Sequence, residues 1–199
     1  YPYHRAVMVV HTTSLLTQTL NEFKKWFGEE DVGCIGDNTF QTRRITVIMA
    51  PTAASICTPN RNGRFTDPRY KELFDTLFRA YLFIVDEAHH FAQENGSYAV
   101  MANRCKAPIR IGFTATTNPK KTKPKEALVC EGYLGPVIGE LTMEEGIDKK
   151  LLATPKLKLI PVGLNADIGE YKTYKEIYRN GIILNRSRNR MIVKEANDQ

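Results

Sequence analysis

The stretch Tyr81-Leu82-Phe83-Ile84-Val85-Asp86-Glu87-Ala88-His89-His90 concentrates reactive side chains behind an apolar run. The run from Tyr81 to Val85 has the length and bulk of a fully buried strand in a parallel sheet. Where it ends, it delivers Asp86 and Glu87 to the sheet's carboxyl edge, where open α/β folds place their ligands. One carboxylate can hold a hydrated Mg²⁺ while its neighbour handles a proton, the acid equipment needed to split a nucleoside triphosphate. A zinc reading built on Glu87, His89 and His90 is weaker. Adjacent residues project in different directions, and the chain has no His pair at i, i+4 spacing.

Such an edge needs an alternation of strands and helices to build it. Arg5 to His11 reads as a strand, with Thr12, Thr13 or Ser14 capping a helix. That helix carries Leu16, Leu20, Phe23 and Phe27 and stops at Gly28. Val32–Ile35 and Ile45–Ala50 read as further strands, the second ending at Pro51-Thr52. A loop over residues 58–68 leads to a helix opened by Asp67-Pro68, with Tyr70, Leu73, Phe74, Leu77 and Phe78 facing inward. A helical stretch near Tyr98–Cys105 precedes a strand over Ile109–Thr114. This order predicts an α/β fold with a parallel sheet flanked by helices.

Residues 117–125 are polar, with two prolines and four lysines, and read as a loop. Thr142 with Glu145 is a capping box for a helix reaching about Leu152. Lys156–Val162 alternates lysine with apolar residues and reads as a sheet-edge strand. Gly163–Gly169 reads as a linker, followed by two short helical segments split at Gly181. The expected domains are therefore 1–162 and a linker-plus-helical segment, 163–199.

Composition narrows the class. The chain has 199 residues, 42% hydrophobic and 25% charged, which is ordinary for a soluble domain with a normal core. No apolar stretch reaches the roughly 20 residues that span a bilayer. Tyr1 to Arg5 shows no signal-peptide pattern, and a cytoplasmic or nuclear location is expected. A net charge of +6 with a pI near 9.1 fits a polyanionic partner as well as simple solubility. Cys34, Cys57, Cys105 and Cys130 form no CxxC pair and read as reduced thiols.

In strand context, Asp86-Glu87-Ala88-His89 resembles the Walker B or DEAH box of superfamily 2 helicases. Gly112-Phe113-Thr114-Ala115-Thr116 is similar to their motif III, Val10-His11-Thr12-Thr13-Ser14-Leu15-Leu16-Thr17-Gln18 to motif Ia, and Thr46–Thr52 to motif Ib. His11 stands where motif Ia usually has proline, and Pro51 departs from the usual residue in motif Ib. Leu141-Thr142-Met143-Glu144-Glu145-Gly146-Ile147 and the lysine-rich segment after it extend the likeness. They point to the branch of xeroderma B-type repair helicases, restriction-enzyme motor subunits and phage recombination helicases.

The resemblance implies a RecA-like first motor lobe that uses ATP and Mg²⁺ and moves on nucleic acid, DNA above RNA. Asp86 would hold Mg²⁺ through water, and Glu87 would orient or deprotonate the attacking water. His89 would couple the site to Thr114 and Thr116, and Thr12 and Thr52 would contact the nucleic-acid backbone. Three alternatives stay open: a helicase, a double-stranded DNA translocase or restriction motor that does not separate strands, and a non-catalytic nucleic-acid-binding module. No G-x-x-x-x-G-K-[ST] loop occurs, nor any Gly-Lys dipeptide. The arginine-finger motif and the second RecA-like domain are also missing from the sequence. The chain is thus expected to be a fragment of a longer helicase, inactive alone and partnered by a second RecA-like domain of its parent.

Overall fold

The computed structural model describes residues 4–92, 96–115, 124–161 and 173–197. Two compact units divide the chain at Glu140/Leu141, ahead of the 162/163 boundary expected from the sequence. Sequence composition changes at the Gly163 segment, whereas the compact packing of the first unit ends earlier.

In the first unit, Tyr1–Glu140, six strands form one sheet in the order β3-β2-β4-β1-β5-β6. The strands are β1 (Arg5–Val10), β2 (Val32–Gly36), β3 (Thr39–Gln41), β4 (Ile45–Met49), β5 (Ala80–Val85) and β6 (Ile109–Gly112). All pairings are parallel except the short hairpin β2–β3, so the expected α/β class holds. Alternating side chains cover the two faces separately. On one face Val10 and Val47 bury against Leu16 of α1 (Thr13–Phe27). On the other, Val7, Val9, Ile48 and Phe83 pack with Leu73 and Leu77 of α3 (Tyr70–Phe78) and Met101 of α4 (Ser97–Ala102). Helix α2 (Ala50–Ile56) contributes Ala53 and Ile56 to this second cluster.

Several local expectations are corrected. Pro51-Thr52 does not close a strand into a turn; it opens α2, because proline suits the first helical turn, where an amide has no partner to lose. Phe74 and Phe78 of α3 do not face inward: they are 37% and 50% exposed. Leu73, Thr76 and Leu77 take the buried stripe, while the rings of Tyr70, Phe74 and Phe78 contact one another in series along the next stripe round the helix. Within β5, Tyr81 is exposed and stacks on His4, so the strand is not buried throughout. Strand β6 stops at Gly112, leaving Thr114 in the loop beyond. Part of the expected loop 117–125 lies outside the described residues, and Pro124 and Lys125 begin helix α5 (Pro124–Leu134) instead.

The second unit, Leu141–Gln199, opens with the expected capping box. The Thr142 hydroxyl accepts from the Glu145 amide, and the Glu145 carboxylate accepts from the Thr142 amide. Helix α6 is shorter than expected (Met143–Asp148), ending in a left-handed turn at Lys150, φ 57°. The expected strand Lys156–Val162 is not formed over residues 156–161, and Leu157 and Leu159 are 88% and 84% exposed. A strand exists only through a neighbour's hydrogen bonds, and none pairs with this segment among the described residues. The expected linker, residues 163–169, lies outside the described residues. Beyond it come α7 (Tyr174–Tyr178), a π-turn over Arg179–Ile183 that contains Gly181, and α8 (Arg186–Asn197). Among the described residues no helix is long and apolar enough to cross a membrane.

Candidate functional site

Parallel register brings the candidate residues of the first unit to one edge. Val10 pairs with Met49, Val9 with Val85, and Val85 with Gly112. The chain therefore leaves β1, β4, β5 and β6 at nearly the same level, carrying Thr12, Thr52, Asp86 and Thr114 to the sheet's carboxyl edge. Thr116 lies outside the described residues.

The turn after β5 is held on both sides. The Asp86 amide donates to the Val9 carbonyl at 3.0 Å, extending the β1–β5 ladder by one residue. Opposite, the Phe113 amide donates to Val85 at 2.9 Å and the Ala88 amide to Phe113 at 2.8 Å. Asp86 Oδ1 accepts the Glu87 amide at 3.0 Å. Glu87 itself adopts φ 52°, a left-handed conformation that side chains other than glycine rarely take, and this reverses the chain into a 3₁₀ turn over Ala88–Ala92. Strain of this kind marks a place where side-chain direction has been favoured over backbone comfort.

The reversal folds His89 back over the edge. Its Nδ1 lies 3.1 Å from Thr114 Oγ1 and 3.2 Å from Glu87 Oε2, so one nitrogen joins the β5 turn to the β6 loop. The Tyr98 hydroxyl donates to the Asp86 carbonyl at 3.2 Å. Burial, with the nearby Asp86 and Glu87 carboxylates, raises that phenol and keeps it a donor. His90 packs 5.4 Å from the Tyr98 ring and 4.6 Å from the His11 ring. Burial lowers the His90 pKa, helped by the neighbouring His89 and His11 and opposed by Glu87, which favours the neutral ring.

Asp86 and Glu87 are half-buried, and among the described residues the Asp86 carboxylate makes no ion pair. Hard carboxylate oxygens at a sheet edge with room for water suit Mg²⁺, which keeps several waters and takes one or two carboxylates. The residues present therefore fit that ion. Among the described residues no group of three His, Cys, Asp or Glu side chains is disposed to hold a metal by itself.

The two threonines sit at helix starts. Thr12 is the N-cap of α1, and its hydroxyl accepts the Leu15 amide at 3.2 Å. No acidic residue lies in the first turn of α1 or α2, so both helix starts are open to an anion. Thr52 lies in the first turn of α2 and is half-buried.

Sequence reasoning missed the grouping of His11, His90 and Tyr98. His11 stood out only as a departure from motif Ia, and nothing local joins it to a residue 79 positions away. Also missed was α5, which braces the site. Its Cys130 thiol donates to the Ala88 carbonyl, and its Tyr133 stacks on Phe91 at 4.9 Å.

The archaeal DNA 3'-5' translocase XPB2 of Sulfurisphaera tokodaii is 30% identical over 168 residues, covering 84% of this chain and 33% of that protein. The chain thus spans about a third of that relative's length. Among solved structures, the Sulfolobus solfataricus SWI2/SNF2 ATPase core in complex with dsDNA aligns over 68% of this chain and 25% of its own. Its identity is 14% and its TM-score 0.47. The Pyrococcus furiosus Hef helicase domain aligns over 67% of this chain and 28% of its own, with 21% identity and TM-score 0.47. Residues 1–119, more than half of the 199, match the family model described as "Type III restriction enzyme, res subunit", and the chain belongs to that family.

Proposed function

We propose that residues 1–162 are part of the first RecA-like lobe of an ATP-dependent DNA helicase or translocase, and that 163–199 lead toward a second lobe. The observation that carries this reading is the 3.1 Å contact between His89 and Thr114. It joins the Asp86-Glu87 turn of β5 to the loop of β6, in a chain of the family described as Type III restriction enzyme, res subunit. Mg²⁺, when bound, would supply charge compensation across the transferring phosphoryl group. Asp86 would hold that ion through its waters. Glu87 would orient the attacking water and take its proton, its carboxylate kept in place by the reversed backbone and by His89. His89, with Thr114 and Thr116, would pass the state of the carboxylates to the nucleic-acid side. Thr12 and Thr52, at open helix starts, would grip phosphates without reading base sequence.

In the full-length protein, Glu87→Gln is expected to leave binding of a fluorescent ATP analogue intact while abolishing phosphate release. Normal turnover in this variant would sink the assignment. A second reading, movement on duplex DNA without strand separation, draws support from the name of the S. tokodaii relative, a translocase. Strand-displacement and triplex-displacement assays on the same preparation separate the two.

A further inference from the structure

At the edge that carries the acid pair, three aromatic groups have no part in the scheme above: His11, His90 and Tyr98. His11 directly follows β1 and precedes Thr12, the cap of α1. Its ring lies 4.6 Å from that of His90, and His90 lies 4.5 Å from His89. A continuous run of contacts therefore leads from the start of α1 to Glu87 without passing through Thr114.

Simple space-filling explains this arrangement poorly. His11 Nδ1 is buried with no hydrogen-bond partner among the described residues. A phenyl ring would occupy the same place without an orphaned polar atom. An imidazole with an unsatisfied nitrogen would gain a hydrogen bond from any second arrangement that supplies a partner, and such a movement would lift it from His90. Coupling between sites needs an element with two such discrete arrangements.

We propose that His11 and His90 are positioning residues that form a second link, beside His89–Thr114, between the nucleic-acid-facing start of α1 and the Glu87 carboxylate. The proposal rests on the motor reading above. In it, a phosphate docking at α1 shifts the His11 ring, and His90 transmits the shift to the turn that sets Glu87.

The test measures ATP turnover of the full-length protein against DNA concentration for His11→Ala, His11→Phe, His11→Asn, His90→Ala and the double alanine variant. Thermal unfolding of each shows that it is folded. DNA-stimulated turnover is expected to fall by about fivefold or more in both single alanine variants, within the usual range of site-to-site coupling. The half-saturating DNA concentration should move less than turnover does. The double variant should be no worse than the poorer single one, because both residues serve one link. His11→Phe should lose coupling as His11→Ala does, and His11→Asn should restore part of it. If His11→Phe stimulates normally while Glu87→Gln is dead, the link is wrong and the motor reading stands. If the parent shows no DNA-stimulated turnover at all, both fall together.

Discussion

The Nδ1 of His89 stands 3.1 Å from the Thr114 hydroxyl, although 25 residues separate them in the chain. Parallel pairing of β5 with β6 puts Val85 opposite Gly112, and the reversal at Glu87 then turns the imidazole across the strand boundary. The contact is a property of the sheet edge rather than of either segment.

If that hydrogen bond carries information between carboxylates and nucleic acid, its two partners must fail together. In the full-length protein, His89→Ala and Thr114→Val are each expected to uncouple turnover from DNA. The double variant should fall no further, a non-additivity typical of residues in direct contact. Thr114→Ser keeps the hydroxyl and should keep most of the stimulation. Independent, multiplicative losses would show that the contact is incidental.

The backbone at Glu87 offers a separate test. A non-glycine residue in the left-handed region costs about 1 kcal/mol or more, and glycine is relieved of that cost. Glu87→Gly is therefore expected to raise the unfolding midpoint of this chain by roughly 2–4 °C relative to Glu87→Ala, as about 1 kcal/mol does at this size. The same substitution should abolish turnover in the full-length protein. Equal midpoints for the glycine and alanine variants would show that the turn is not strained.

Arg110 is the third case, and its role is structural. Its guanidinium donates to the carbonyls of Ala102, Cys105, Ala107 and Tyr133, and lies 5.8 Å from the centre of the Phe83 ring. It thereby ties the ends of α4 and α5 to β6 and holds the brace behind the Asp86-Glu87 turn. Arg110→Met keeps the apolar stem but strands those carbonyls, at about 1–3 kcal/mol for each one left buried and unpaired. Urea unfolding should show a loss of about 3 kcal/mol, with Arg110→Lys intermediate because an ammonium cannot reach as many acceptors in one plane. A loss below about 0.5 kcal/mol, the level of an ordinary surface change, would contradict this reading.

Much of the site was legible in sequence because its signals are local. An apolar run stopped by Asp86-Glu87 identifies a central strand and the point where it nears the surface, since full burial of carboxylates is costly. The run Thr12-Thr13-Ser14 before Leu15 and Leu16, and Thr142 before Glu145, mark helix starts, since a cap needs only its own next three residues; the structure selects Thr12 as the first cap. The order of these signals was enough to expect a parallel α/β sheet.

Other features needed the tertiary structure, because they depend on a partner distant in sequence. Lys156–Val162 has a strand's alternation, yet residues 156–161 form none, since alternation provides a face and only a neighbour provides hydrogen bonds. Pro51-Thr52 could end a strand or start a helix, and packing of Ala53 and Ile56 into the core selected the helix. The meeting of His11 with His90, and of His89 with Thr114, follows from β1, β5 and β6 lying side by side. The sequence by itself determined which residues reach the carboxyl edge. Strand order, a global outcome of burying both faces of the sheet, decided which of them touch.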